Sequence, residues 1–167
     1  MSAKHNSQAG EPASEANQPN PHLRQRILVV EDDADIRQLN TKVLACTGYH
    51  VDAAEDGAAA WDALQRNNYD LMVTDNDMPK VTGVELIKKL QDTHMDLPVI
   101  MATGNLPDEE FAPYPCLQPA VTLLKPYTFD ELVTAVKAVL RATADAYEKI
   151  APPPNCQNQL PANHFRL

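Results

Sequence analysis

The stretch Ile27-Leu28-Val29-Val30-Glu31-Asp32-Asp33 changes character abruptly at its fifth residue. Four aliphatic side chains, three of them β-branched, fit a short strand buried on both faces. Three acids follow where such a strand would leave its sheet. Further along, Ile36, Leu39, Val43 and Cys46 recur at helical spacing, and Gly48 stops that helix. His50–Ala54 reads as a second strand, about Ala58–Asn67 as a helix capped by Asp56, and Leu71–Thr74 as a third strand. Thr82-Gly83-Val84-Glu85 is a capping box, opening a helix with Val84, Ile87 and Leu90 on one face. Pro98–Ala102 and Val121–Leu124 read as the fourth and fifth strands. Thr128-Phe129-Asp130-Glu131 is a second capping box, opening a last helix with Leu132, Val136, Val139 and Leu140 inward.

Strands alternating with helices imply a parallel sheet covered on both faces. The segment between the fourth and fifth strands is the irregular one. It holds Pro107, Pro113, Pro115 and Pro119. A proline inside a helix costs about 3 kcal/mol, so the fourth helix is expected to be shortened to one or two turns or missing.

Composition narrows the functional classes. The 167-residue chain carries a formal net charge of -9, and its 14 Lys and Arg are scattered. Such a surface disfavours nucleic acid and anionic lipid, which require clustered cations. Three Cys, an odd count at a spacing that fits no zinc pattern, suit free thiols in a reducing cytosol. No apolar run has the length of a signal peptide or a membrane span, so a cytoplasmic protein is expected. Residues 1–25 are poor in large apolar side chains and are expected to form a disordered tail. Residues 26–148 form the expected domain, and 149–167, with Pro152-Pro153-Pro154, a flexible tail.

In open parallel sheets, ligands sit beyond the carboxyl ends of the strands. There this chain places Glu31, Asp32 and Asp33 after the first strand, Asp75 after the third, Thr103 after the fourth and Lys125 after the fifth. Carboxylates brought together stay ionised when a cation joins them. Mg²⁺ takes one or two carboxylates, waters and a phosphate oxygen. Asp75 can then bind the ion and attack phosphorus, while Lys125 and the Thr103 hydroxyl neutralise the remaining oxygens. Asp33 has a plainer use as a helix cap, Gly83 as a turn residue, and Trp61 as core packing beside Leu64.

The runs Ile27–Asp33, Tyr69–Pro79, Pro98–Gly104 and Leu123–Pro126 together resemble the receiver domains of two-component response regulators, over about residues 25–142. The resemblance implies an α/β, flavodoxin-like (βα)5 doubly wound parallel sheet with strand order 2-1-3-4-5. It implies phosphorelay signal transduction, in which a histidine kinase or a histidine phosphotransfer protein donates a phosphoryl group to Asp75 and an unknown downstream protein reads the result. It implies Mg²⁺, with Mn²⁺ as a substitute, held by Glu31, Asp32, Asp75 and the backbone carbonyl of Asp77. Thr103 and Lys125 take the family's switch-hydroxyl and lysine positions, and the resemblance implies a cis Lys125–Pro126 bond, where base rates alone would favour trans. The chain departs from the pattern at Thr122, where the family usually has an aromatic residue.

A switch of this kind is a phosphoprotein rather than a turnover enzyme. Two other readings compete. One is a pseudo-receiver, a protein-interaction module without phosphorylation. The other is an aspartate-nucleophile phosphohydrolase, because Asp75-Asn76-Asp77 is similar to the Asp-x-Asp motif of haloacid-dehalogenase-type enzymes. There the motif follows the first strand; here an acid pair precedes it.

Overall fold

The computed structural model describes residues 25–105 and 118–150. Five parallel strands form one sheet in the order β2-β1-β3-β4-β5. They are β1 (Arg26–Val30), β2 (His50–Ala54), β3 (Leu71–Asp75), β4 (Val99–Thr103) and β5 (Val121–Leu124). The helices are α1 (Ala34–Cys46), α2 (Gly57–Arg66), α3 (Gly83–Asp92) and α4 (Phe129–Ile150). The pattern expected from sequence is therefore the pattern found. The proline-rich segment expected to shorten or remove the helix after β4 falls largely on residues 106–117, outside the described residues, as do residues 1–24 and 151–167 of the two expected tails.

Side chains alternate across the three central strands, so the sheet buries two faces. Leu28, Val30, Met72, Val99 and Met101 meet Ala60 and Leu64 of α2 and Val84, Ile87 and Leu90 of α3. Ile27, Val29, Leu71, Val73 and Ile100 meet Leu44 of α1 and Leu132, Val136, Val139 and Leu140 of α4. This is a doubly wound sheet, with two helices on each face among the described residues.

Local signals act where the sequence places them. Asp33 accepts from the N–H groups of Asp35 and Ile36, Asp56 from those of Ala58 and Ala59. Thr82 and Glu85 close a reciprocal capping box, and Thr128 and Glu131 repeat it for α4. Gly48 has φ 100°, in the left-handed region open to glycine.

The buried face of α1 is not its apolar stripe. Ile36 and Leu39 are 38 % and 46 % exposed and Cys46 is exposed, whereas the buried residues of α1 are Asn40 and Leu44. The apolar stripe announces the helix but is not the side turned to the sheet. A polar residue takes that place because it finds a partner from the other end of the domain, Tyr127.

Candidate functional site

β1 and β3 are neighbours in register, Val30 beside Thr74, so the residues that follow Val30 lie next to the end of β3. Glu31 and Asp75 are 2 % and 5 % exposed. Glu31, Asp32 and Asp75 each offer a carboxylate oxygen within 4.8 Å of the others. Lys125, after β5, reaches across the end of β4. Its Nζ donates to Asp75 Oδ2 at 2.7 Å and to Glu31 Oε2 at 3.2 Å. The Lys125 backbone N–H donates to the Thr103 carbonyl at 2.8 Å, and the Lys125–Pro126 bond is cis.

Electrostatics follow from this crowding. Burial first, and the charge of Asp75 second, push the Glu31 carboxyl up to about 7, against the pull of Lys125. For Lys125, burial works against the charge. The hydrogen bond and charge of Asp75, with those of Glu31, outweigh it and hold the ammonium above the ordinary lysine range. One ammonium thus faces three carboxylates. That excess of hard oxygen donors fits a small divalent cation such as Mg²⁺, with Glu31, Asp32 and Asp75 able to hold it.

Asp77 donates its backbone N–H to Asp75 Oδ1 at 3.1 Å, fixing the carboxylate. Its own side chain turns towards Gly104, whose N–H lies 3.5 Å from Oδ2. Thr103 is the last residue of β4 and is buried. Its hydroxyl donates to the Asn105 carbonyl at 2.7 Å, so in this conformation it serves its own loop. Thr122 lies half-buried on β5 beside Met101.

Of the supporting residues, Gly83 was read from sequence as a turn residue, while Arg37, Asn76 and Lys80 were not singled out. Arg37 donates Nη1 to the carbonyls of Glu31 and Asp32 at 2.6 and 3.1 Å, tying the acid pair to α1. Buried Asn76 accepts from Val84 N–H at the start of α3. Lys80, at φ 71°, joins Asp56 at 2.7 Å and so links the loop after Asp75 to α2. A Cβ on Gly83 would stand 2.6 Å from the Asp75 carbonyl, so this glycine allows α3 to start against the strand end. Arg37, one turn beyond the acids, was visible in the sequence. Asn76 and Lys80 depend on contacts that no local pattern encodes.

A five-stranded sheet in this order, with acids and a lysine at its carboxyl edge, defines a receiver-type switch domain. The family model "Response regulator receiver domain" matches residues 27–137. The chain belongs to that family, the receiver modules of two-component systems. It is similar to the response regulator receiver protein CpdR of Brucella abortus, 35 % identical over 122 residues that cover 70 % of this chain and 98 % of CpdR. It is also similar to the response regulator MprA of a Mycobacterium species, at 34 % over 119 residues, 71 % of this chain. The match spans only 52 % of MprA. Among solved structures, the Francisella response regulator 1452 receiver domain aligns with a TM-score of 0.66 and 29 % identity, covering 72 % of this chain and 99 % of that one. The Thermotoga maritima response regulator TrrA, solved in complex with Mg²⁺ and BeF, aligns with a TM-score of 0.61 and 31 % identity, covering 69 % and 98 %. No helix among the described residues is long and apolar enough to cross a membrane.

Proposed function

We propose that Asp75 accepts a phosphoryl group, with Mg²⁺ bound by Glu31, Asp32 and Asp75, and that the product is a signalling state rather than a turned-over metabolite. The observation that carries this reading is the pairing of Lys125 with Asp75 at 2.7 Å beside an acid pair that lacks enough counter-charge. Asp75 Oδ1 is held by the Asp77 N–H, and the backbone carbonyl of Asp77 would complete the metal shell. In the attack, Asp75 forms a bond to phosphorus as the donor nitrogen leaves with its electron pair. The ion's part is to neutralise phosphoryl oxygens. Lys125 neutralises another oxygen, and Thr103 gives up its bond to Asn105 to donate to a further one.

The donor is a phospho-histidine protein, a histidine kinase or a phosphotransfer protein. Exposed Ile36, Leu39 and Phe129, with Pro126, line a cavity that also includes Lys125. An apolar surface beside the reacting edge is where such a donor would seat. The reader of the switch on this domain is a protein surface, since the charge of -9 and the scattered Lys and Arg disfavour nucleic acid. The same charge balance, with the lack of a membrane-length helix among the described residues, supports a cytoplasmic setting.

Incubation with acetyl phosphate and Mg²⁺, followed by mass spectrometry, tests the reading. One phosphoryl group is expected on the wild type and none on Asp75→Ala. A wild type that stays unmodified would favour the pseudo-receiver, and a variant that is modified equally would mean that Asp75 is not the acceptor. Rapid multiple turnover of a small phosphate ester would favour the phosphohydrolase.

A further inference from the structure

We propose that Asn40 and Tyr127 form a positioning pair that sets where the Lys125 ammonium stands against Asp75, an inference that rests on the phosphoacceptor reading. Asn40 is 3 % exposed on the sheet-facing side of α1, where packing alone would call for an aliphatic residue. A buried amide costs stability unless it is bonded. Its Nδ2 donates to the Tyr127 hydroxyl oxygen at 2.9 Å, across 87 residues of sequence. Burial holds the Tyr127 phenol above the ordinary tyrosine range, so it stays neutral at working pH.

Tyr127 stands two residues beyond Lys125. The intervening chain is fixed on one side by the Lys125 N–H on the Thr103 carbonyl at 2.8 Å. On the other side, among the described residues, Thr128 bonds into its own helix, through Glu131. The Asn40–Tyr127 bond is therefore the polar tie between the Lys125 loop and α1, the helix whose Arg37 also holds the carbonyls of Glu31 and Asp32. One helix thereby references both the acid pair and the ammonium. The Tyr127 ring also packs against the apolar cluster under α4, and that packing survives loss of the hydroxyl. Tyr127→Phe thus removes the tie alone.

Three variants separate positioning from packing: Tyr127→Phe, Asn40→Leu, and the two combined. Tyr127→Phe leaves a buried amide unbonded and lowers stability in urea. The double variant removes both polar groups and regains most of the loss. Phosphorylation from acetyl phosphate is expected to fall about tenfold in Tyr127→Phe and to stay down in the double variant, as a displaced group demands. In a Lys125→Ala background the same changes should leave the residual rate as it was, since the pair then has nothing to place. A rate that recovers with stability, or an equal loss without Lys125, overturns the proposal. Crystal structures of the double variant provide a second test that needs no phosphoryl chemistry. Lengthening of the Nζ–Oδ2 distance from 2.7 Å supports positioning, and an unchanged distance overturns it. A wild type that takes no phosphoryl group would sink the phosphoacceptor reading and leave this structural test standing.

Discussion

The Glu31 carboxyl is lifted for a physical reason. It is 2 % exposed, and burial together with the Asp75 charge carries it from the ordinary 4.5 to about 7. Between those values the folded, metal-free protein binds a proton that the unfolded chain does not. Stability therefore falls as pH rises through that window and levels off above about 7. In chelator, urea melts should show the wild type losing on the order of 2 kcal/mol more than Glu31→Gln between about pH 5 and about pH 8. Added Mg²⁺ should restore the wild type at the higher pH, because the ion replaces the proton as counter-charge. Identical pH profiles for the two proteins would show that Glu31 is ionised throughout. Gly83 makes a steric prediction at the same scale. A methyl group there meets the Asp75 carbonyl at 2.6 Å, and backbone gives way poorly. Gly83→Ala should cost about 1–3 kcal/mol, as overpacking does, and should slow phosphorylation by shifting Asp75. Normal stability and rate in that variant would mean that α3 retreats freely.

The first turn of α1 adjoins the acid pair, and its cap is separable from the proposed ion site. Asp33 accepts from two backbone N–H groups at 2.9 and 3.0 Å. Asp33→Ala should lower stability by about 1 kcal/mol, the usual worth of an N-cap. Mg²⁺ affinity, read by calorimetry, should change little; a large loss would make Asp33 a ligand. Caps of this sort were legible in the sequence because they are local: Asp33, Asp56, Thr82 and Thr128 each bond within three residues. The strands were legible because apolar β-branched runs have few alternatives. Their ends were offset, since Asp75 and Thr103 close β3 and β4 from within. The clustering of the candidate site was readable because Glu31, Asp75, Thr103 and Lys125 directly follow, or end, a strand, and a parallel sheet aligns those ends. What was hidden is what the third dimension supplies: the turning of α1 towards Tyr127, the Lys80–Asp56 link, and the engagement of Thr103 with Asn105. None has a periodic signature, and each depends on a partner outside its own element or a particular loop conformation.

At the scale of the molecule, folding is what assembles the site. Glu31, Asp75 and Lys125 are separated by tens of residues in sequence yet joined by bonds of 2.7 and 3.2 Å. An unfolded chain offers no such constellation, so a ligand of the assembled site binds the folded state alone and must raise its stability by mass action. Beryllofluoride with Mg²⁺ is the appropriate probe, being tetrahedral, anionic and able to bond a carboxylate oxygen. At a hundredfold excess over Kd the gain is about 2.7 kcal/mol, enough to raise Tm by about 5 °C or more in a domain of this size. Mg²⁺ alone should give part of that rise by relieving the acids. Lys125→Ala should keep the response to Mg²⁺ and lose most of the further rise with beryllofluoride. Asp75→Ala should lose the beryllofluoride response entirely, since it removes the oxygen to which the probe bonds. Scanning calorimetry of the three proteins, with Mg²⁺ and with both additives, reads all of these outcomes. A wild-type Tm that does not move with Mg²⁺ and beryllofluoride together would mean that the acids, the lysine and the carboxylate at Asp75 form a structural ion-pair network and not a phosphoryl site.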